Sequence, residues 1–327
     1  MKLTVLGAGA WGTALAAHWA SEHTVTLWGR HADELDAMRR TGVNARHLPD
    51  CRLPATLAYE ADFATAVDHA DLLLIAVPSH GLRATLDVLA KRPNLPPLVW
   101  VCKGFEQGTG RLPHQLVLDT VPNTAAGVLS GPSFALEVAR GCPTALTLAS
   151  HDAAWAQRQA EALSGPRLRI YAHDDVIGVE ICGALKNVMA IAAGICDGLK
   201  LGHNARAALV TRGLAEMTRL GVHLGGHAET FMGLSGLGDL ILTTTGDLSR
   251  NRQVGLRLAQ GQSLDAILAE LGHVAEGVTT TREVDALATQ LGVDMPITRA
   301  VRRILYDKLH ATQAVDALLN RNIRPEF

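Results

Sequence analysis

The chain has few of the features that mark specialised classes of protein. Its 327 residues include five cysteines, an odd number, and no Cys-x-x-Cys pair. This argues against a disulfide framework and a structural zinc site, and favours reduced thiols in a cytoplasmic protein. The fourteen histidines are scattered without His-Glu-x-x-His spacing, so we predict no metal centre.

The chain also lacks an excess of charge and a long apolar run. Its 30 basic and 32 acidic residues nearly balance, which argues against a nucleic-acid partner and means that an anionic ligand must be met by local charges. No uninterrupted apolar stretch reaches the roughly 20 residues of a membrane helix, because Lys186 and Asn187 divide the best candidate. We therefore predict a protein without a membrane span.

Flexible Gly/Ser linkers, internal repeats and low-complexity tracts are also missing. Two regions with different patterns of apolar residues follow each other directly. Up to about residue 172, short β-rich runs such as "LTVLG", "TVTLWG", "LLLIAV" and "LVWVC" alternate with helical stretches. That alternation predicts an α/β Rossmann-type, doubly wound sheet over residues 1–174. From there on, apolar residues recur at helical spacing, which predicts an all-helical domain over residues 175–327.

A glycine-rich motif lies in the first of these β/α units. Residues 7–12, "GAGAWG", follow a strand and open a helical stretch. In such a unit Gly7 permits the tight turn, Gly9 lets the backbone approach a pyrophosphate, and Gly12 allows close packing of helix on sheet. The helix N-terminus then offers N–H groups to the phosphates, so we predict a dinucleotide cofactor.

The acidic residue that often binds the ribose of such a cofactor is absent. The second strand ends in "LWGRH", with Arg30 and His31 where Asp or Glu would be expected. An arginine there can pair with a 2′-phosphate, and its alternative is an exposed loop cation. We predict NADPH in preference to NADH, without excluding NADH.

The stretch "CGALKNVMAIAAG", residues 182–194, places Lys186 beside Asn187 in an otherwise apolar or glycine run. Burying a lysine in a low-dielectric environment without a partner costs several kcal/mol of folding free energy. On a helix, its neighbours on that side are small, which leaves room either for another helix to pack closely or for a ligand to lie over the amine.

Three further stretches carry polar groups that a ligand could use. Lys103 follows an apolar strand in "WVCKGFE", where ligands bind in open α/β sheets, and "LSGPSF" offers Gly131 and Ser133 at another strand end. "GLGDLILTTTGDLSRNRQVG" combines a lone Asp239 with an Arg-Asn pair, followed by a further arginine. Taken singly, each is better explained by structure alone: Asp239 as a helix cap, Lys103 as a loop charge and the arginines as a solvated rim. Together they would suit a small phosphorylated, hydroxylated substrate beside a nicotinamide.

The sequence closely resembles the bacterial NAD(P)-dependent glycerol-3-phosphate dehydrogenases over nearly its whole length. The matching segments include "GAGAWGTALA", "LWGR", "VPSH", "KGFE..TGRL", "SGPSFALEVA.G.PTA", "IGVEICGALKNVMAIAAGICDGL", "NARAALVTRGLAEM", "TFMGLSGLGDLILT", "SRNR" and "EG...T". One departure is Ala10, where the family often has serine.

The resemblance implies a role for each matching residue. Lys186 would accept the proton when glycerol 3-phosphate is oxidised and donate it when dihydroxyacetone phosphate is reduced, and Arg250 would reach the phosphate. The implied substrate-binding residues are Lys103, Gly131, Ser133, Lys186, Asp239, Ser249, Arg250 and Asn251. Beside the three loop glycines, the implied cofactor-lining residues are Trp11, Arg30, Lys103, Ala135, Arg250, Val274 and Glu276.

The same resemblance implies an oxidoreductase that supplies glycerophospholipid synthesis in the cytoplasm, and a homodimer is consistent with it. Two other functions stay open on the residues alone. A 3-hydroxyacid dehydrogenase of the 6-phosphogluconate type also has a Lys-Asn pair on the first helix of a helical domain, although "SRNR" after "GLGDL" favours the glycerol phosphate family. A non-catalytic protein that senses nicotinamide nucleotides would bind the cofactor without turnover.

Overall fold

The structure is a computed structural model, and it describes residues 1–271 and 275–321. By its internal contacts the chain forms two units. The sheet unit comprises Met1–Lys103 and Leu112–Glu180, and the helical unit comprises Gly104–Arg111 and the described residues from Ile181 onward. The predicted sequence boundary between residues 174 and 175 stays a prediction.

The strands lie in the sheet unit. They are β1 Lys2–Leu6, β2 Thr24–Trp28, β3 Val43–Asn44, β4 Leu48–Arg52, β5 Ala58–Glu60, β6 Leu72–Ile75, β7 Leu98–Trp100, β8 Ala126–Ser130, β9 Thr144–Ala149 and β10 Leu168–His173. The helices of the same unit are α1 Ala10–Trp19, α2 Ala32–Thr41, α3 Phe63–Asp68, α4 Leu82–Leu89, α5 Pro113–Thr120, α6 Ala135–Ala139 and α7 Ala153–Leu163.

The remaining helices begin with one that starts at the end of the sheet unit and continues into the helical unit. They are α8 Val176–Gly198, α9 Gly202–His223, α10 Ala228–Met232, α11 Asp239–Thr245, α12 Arg250–Ala259, α13 Leu264–Leu271, α14 Glu276–Leu291, α15 Pro296–Tyr306 and α16 Ala311–Leu319. A π-helical turn, Leu234–Gly238, connects α10 to α11.

Eight strands form one twisted sheet in the order β10-β9-β8-β7-β6-β1-β2-β5. Strand β1 pairs in parallel with β2 on one side and with β6 on the other, so the strand order reverses at β1. In sheets of this kind, ligands bind outside the carboxyl ends of the strands at such a reversal. This arrangement confirms the predicted Rossmann-type fold.

Helices cover both faces of the sheet because successive strand residues point to opposite sides. In β6, Leu72 and Leu74 belong to one core cluster, which α1 and α7 cover. Leu73 and Ile75 belong to the other, which α4 and α5 cover. The continuous apolar run of this strand is therefore buried on both sides, as the sequence predicted.

Strand β9 departs from the predicted parallel arrangement. It pairs antiparallel with β8, with Ser130 opposite Thr147, and parallel with β10. The connection from β8 contains only the five-residue α6, which packs against α1. No full crossover helix carries the chain back across the sheet at this point in the described structure, so β9 runs in the reverse direction.

The helical unit forms around α8, whose central residues are almost completely buried. The helical organisation predicted for the second half is present in helices that include α9, α13, α14 and α15. Within the described residues, α8 is the one helix with the length and composition of a membrane span, but nearly all of that stretch is buried inside the protein, as in the core helix of a globular unit.

One short segment from the first half of the sequence belongs to the helical unit. Residues Gly104–Arg111 follow Lys103 and group with the helices by their contacts. The Gly108 N–H donates a hydrogen bond of 3.1 Å to Oε2 of Glu283, a buried residue of α14. This bond connects the loop that follows Lys103 to the helical unit.

Candidate active site

The glycine loop between β1 and α1 requires glycine at two of its positions. Gly7 has φ = +127° and donates its N–H to the Trp28 carbonyl oxygen at 3.0 Å. A Cβ at Gly7 would lie 2.7 Å from the Ala76 carbonyl oxygen, and a Cβ at Gly12 would lie 2.1 Å from the Gly7 carbonyl oxygen. The loop therefore has the tight turn and close helix packing that the motif predicted.

The start of α1 fits the pyrophosphate of a dinucleotide. A Cβ at Gly9 would meet no atom within 4 Å, so the space above the backbone at this position is open. Within the described chain, no side chain caps the N-terminus of α1. Its first N–H groups and positive dipole end are thus available to an anion.

Asn44 is hydrogen-bonded to this loop. The sequence alone did not identify this residue. Its side chain is 1% exposed. Its Nδ2 donates to the Ala8 carbonyl oxygen at 3.0 Å and to Oγ1 of Thr13 at 2.8 Å, and its Oδ1 accepts from the His47 N–H at 3.1 Å. A buried asparagine with both ends of its amide bonded fixes the loop's shape. Nothing in the local sequence, "GVNARH", marked it for this role.

Other predicted residues of the sheet unit follow strands that end at the same edge as β1. Arg30 comes two residues after β2, is exposed, and has no hydrogen bond or ion pair within the described residues. Lys103 comes three residues after β7 and is partly buried. Because β1, β2 and β7 run in the same direction, the structure places these cations along one edge with the glycine loop.

Gly131 and Ser133 follow β8 at this edge. Gly131 has φ = +138°, and a Cβ there would lie 3.1 Å from the Leu146 Cα. Oγ of Ser133 donates to the Gly131 carbonyl oxygen at 3.0 Å. Ala135 begins the next helix, α6, and packs in the same small apolar cluster as Trp11 of α1. The structure thus brings two of the predicted cofactor-lining residues together.

In the helical unit, Lys186 is paired with Asp239. Its Nζ lies 2.5 Å from Oδ1 of Asp239, the first residue of α11. Lys186 is 7% exposed and Asp239 0%. Oγ1 of Thr243, one turn further along α11, donates to the Asp239 carbonyl oxygen at 2.6 Å and lies 3.3 Å from Oδ1. The lysine is therefore a buried, paired cation, and Asp239 is an ion-pair partner rather than a helix cap.

Helix α12 begins at the predicted Ser-Arg-Asn run. Ser249 caps the helix, its Oγ accepting from the Arg252 N–H at 3.3 Å. Oδ1 of Asn251 accepts from the Gly277 N–H at 3.1 Å, whereas Arg250 is exposed and makes no hydrogen bond or ion pair within the described part of the chain. Arg250 is thus an exposed arginine in the first turn of a ten-residue helix, where the positive end of the helix dipole lies.

Gly277 packs between Asn251 at the start of α12 and Asn187 of α8. A Cβ at Gly277 would lie 2.7 Å from Oδ1 of Asn251 and 2.8 Å from the carbonyl oxygen of Asn187, the neighbour of Lys186. Glu276, predicted to line the cofactor, is the first residue of the same helix, α14, and is partly buried. Val274, predicted for the same role, lies outside the described residues.

The thiols are free, and the described residues hold no cluster of potential metal ligands. All five cysteines are free, four of them buried and Cys142 exposed. Among the described residues, no group of three or more His, Cys, Asp or Glu side chains could bind a metal ion.

A glycine loop fitted to a pyrophosphate at the reversal point of a parallel sheet, together with a buried lysine–carboxylate pair in a helical unit, defines a nicotinamide-dependent dehydrogenase. Comparisons with known proteins give the family. The chain matches the descriptions "NAD-dependent glycerol-3-phosphate dehydrogenase N-terminus" over residues 2–156 and "NAD-dependent glycerol-3-phosphate dehydrogenase C-terminus" over residues 175–316. The chain belongs to the NAD-dependent glycerol-3-phosphate dehydrogenase family.

Individual proteins similar to this chain support the same family membership. The chain is 74% identical over 328 residues, covering 100% of both chains, to a glycerol-3-phosphate dehydrogenase (NAD(P)+) of Thiobacillus denitrificans. It is similar to the crystal structure of glycerol-3-phosphate dehydrogenase from Coxiella burnetii, with 43% identity, a TM-score of 0.94, and coverage of 98% of this chain and 99% of that one. The yeast glycerol-3-phosphate dehydrogenase structure gives 27% identity, a TM-score of 0.83, and coverage of 97% and 98%. Family membership decides against the 6-phosphogluconate type.

Proposed function

We propose that this protein catalyses the reversible reduction of dihydroxyacetone phosphate to sn-glycerol 3-phosphate with NADPH or NADH. The observation that carries the proposal is the buried Lys186–Asp239 pair, in a chain of the glycerol-3-phosphate dehydrogenase family whose glycine loop fits a dinucleotide. A buried charge of this kind is costly, so its presence favours a chemical use.

Lys186 is the proton donor for the reduction. When bound, the reduced nicotinamide supplies from its C4 the hydride that the C2 carbon of the substrate receives. As the C2 carbonyl becomes an alcohol, the ammonium of Lys186 transfers one proton to the C2 oxygen and is left as a neutral amine, which takes up a proton from solvent before the next turnover. An ammonium near this oxygen also stabilises alkoxide character in the transition state.

Asp239 is a positioning residue for that proton transfer. Its carboxylate directs Nζ of Lys186 through a short contact of 2.5 Å, and Thr243 in turn bonds both the backbone and the carboxylate of Asp239. The amine is therefore restrained before the substrate arrives, which lowers the entropy that must be lost in reaching a reactive geometry.

The start of α12 recognises the phosphate. Arg250 offers planar, two-pronged N–H donors with no competing ion pair in the described structure, and such charge-assisted bonds contribute about 1.5 to 3 kcal/mol each. The helix dipole adds to this attraction. Lys103, Gly131, Ser133, Ser249 and Asn251 complete the proposed substrate contacts.

Arg30 selects the cofactor by pairing with the 2′-phosphate of NADPH. Its support is its place at the strand edge beside the glycine loop and the lack of a competing partner among the described residues. Arg30→Gln should raise KM for NADPH about ten- to a hundredfold, the equivalent of one lost charge-assisted phosphate contact, and leave KM for NADH unchanged. The matched control is Arg158→Gln, which removes an exposed arginine of α7 that also lacks a partner in the described structure. An equal rise in KM for NADPH and for NADH in Arg30→Gln would refute the proposal that Arg30 selects the cofactor.

The reaction itself is tested by following NADPH and NADH oxidation with dihydroxyacetone phosphate, dihydroxyacetone and 3-oxo acids as separate substrates. We expect turnover with dihydroxyacetone phosphate far above the other compounds. Cofactor binding without turnover on any of them would favour the nucleotide-sensing alternative, and preference for a 3-oxo acid would favour the hydroxyacid dehydrogenase chemistry.

We also propose that the enzyme works in the cytoplasm, supplies the glycerol phosphate backbone of phospholipids, and forms a homodimer. The supports are family membership, free thiols and a charge balance near zero. Sedimentation equilibrium across a range of concentrations tests the dimer, since a monomer mass throughout would exclude it.

A further inference from the structure

Helices α8 and α12 touch backbone to backbone. A Cβ at Gly194 of α8 would lie 2.0 Å from the carbonyl oxygen of Arg252, and a Cβ at Gly255 of α12 would lie 2.0 Å from the carbonyl oxygen of Ile191. One turn further, a Cβ at Gly198 would lie 2.6 Å from the Ala259 side chain. Only glycine permits this approach, so any larger residue would force the two helices apart.

A partly buried ion pair connects the same two helices. Arg252, in the first turn of α12, donates from Nε at 3.0 Å and from Nη2 at 2.7 Å to Oδ2 of Asp197, near the end of α8. The side chains are 11% and 16% exposed. Arg206 of α9 lies 3.3 Å from the same carboxylate oxygen, and Nη1 of Arg252 donates to Oδ1 of Asp247 at 3.0 Å.

These contacts restrain the turn that carries the proposed phosphate-binding residues. Arg252 is two residues from Arg250, and its own N–H is the group that Ser249 caps. The same turn is restrained on another side by the bond between Asn251 and Gly277. Because α8 also carries Lys186, the glycine contacts and the ion pair connect the phosphate-binding turn to the helix of the proton donor.

We propose that Arg252 is a positioning residue for substrate recognition. Its bonds to Asp197 keep the first turn of α12 at a fixed separation from Lys186, which suits a phosphate attached one carbon away from the reacting carbonyl. The inference rests on the proposed function, because it concerns how that substrate is recognised. Arg252 itself is engaged by Asp197 and Asp247 and does not bind the phosphate.

Arginine is the residue type that this role requires. Two of its nitrogens bond Asp197 while the third bonds Asp247, which fixes the side chain in a plane. A lysine could keep the charge but not the planar geometry. Arg252→Lys should therefore retain part of the function and Arg252→Met little of it.

The test compares kcat/KM for dihydroxyacetone phosphate with kcat/KM for dihydroxyacetone, which lacks the phosphate. In Arg252→Met, we expect the first to fall about ten- to a hundredfold, mainly through KM, as a small displacement of a binding group would cause. The value for dihydroxyacetone and the affinity for NADPH should be unchanged. Arg252→Lys should be intermediate, and Gly255→Ala should reproduce the loss through the other contact.

The matched control is Arg257→Met, which breaks an ion pair between the same helix and Glu270 of α13. It should leave both substrates unaffected. An equal loss for both substrates in Arg252→Met, or no loss for either, would overturn the proposal. If Arg252→Met does not fold, Arg252→Lys and Asp197→Asn provide the same comparison. Wild-type protein that does not prefer the phosphorylated substrate would instead refute the proposed function.

Discussion

Breaking the Lys186–Asp239 pair should destabilise the protein much more when one charge remains than when both are removed. Lys186→Met removes the ammonium from Asp239, a carboxylate with 0% exposure. Removing one partner of a buried pair typically costs about 3 to 5 kcal/mol, because the remaining charge keeps its desolvation penalty without the attraction that offset it. Asp239→Asn should cost less, since the longer lysine can move its ammonium toward water.

The double variant Lys186→Met/Asp239→Asn removes both charges and should be more stable than the sum of the single effects predicts. We expect a coupling free energy of about 2 to 3 kcal/mol, at the upper end of values for residues in direct contact. Urea unfolding of the four proteins at pH 7, without ligands, measures it. The exposed pair Arg46–Glu34 serves as control and should give about 0 to 1 kcal/mol. A coupling near zero for Lys186–Asp239 would refute the description of a buried, mutually dependent pair.

Two other predictions concern Glu216 and Asn44. Burial raises the pKa of Glu216 from 4.5 to about 7, against hydrogen bonds from Ile297 and Thr298 that lower it. The folded state therefore binds the proton more tightly than the unfolded state, so stability should fall by up to about 3 kcal/mol as pH rises from 4.5 to 7. Glu216→Gln should remove this dependence, and equal pH slopes of unfolding free energy in both proteins would contradict it. Asn44→Ala should weaken NADPH binding and cost about 1 to 3 kcal/mol of stability by leaving the loop's acceptors unpaired. Thr56→Val, which removes a hydrogen bond to the Ala20 carbonyl oxygen just after the far end of α1, should leave NADPH affinity unchanged.

The sheet was predictable because its strands are short, continuous apolar runs punctuated by helical stretches. In β6 the run "LLLI" is buried on both faces, and burial of that kind leaves a direct trace in composition. The direction of β9 was not predictable, because its own residues read the same in either orientation and the reversal depends on how α6 packs against α1. The strands β3 and β5, of two and three residues, are too short to show any periodicity.

The site residues were predictable where the sequence places an unusual residue type in a constrained position. Lys186 was conspicuous because it interrupts an apolar helix, and Gly7 and Gly12 because backbone geometry excludes other residues. Asn44 and Arg252 were not recognised as positioning residues, since their importance comes from partners 31 and 55 residues distant in the chain. Such long-range pairings leave no local pattern.

The most direct test of the account is the turnover of Lys186→Met with dihydroxyacetone phosphate, measured beside its affinity for NADPH. If Lys186 donates the proton, kcat should fall by about 10² to 10⁴, while NADPH, bound by the glycine loop of the sheet unit, should keep its wild-type dissociation constant. Near-normal kcat in the variant would contradict the account.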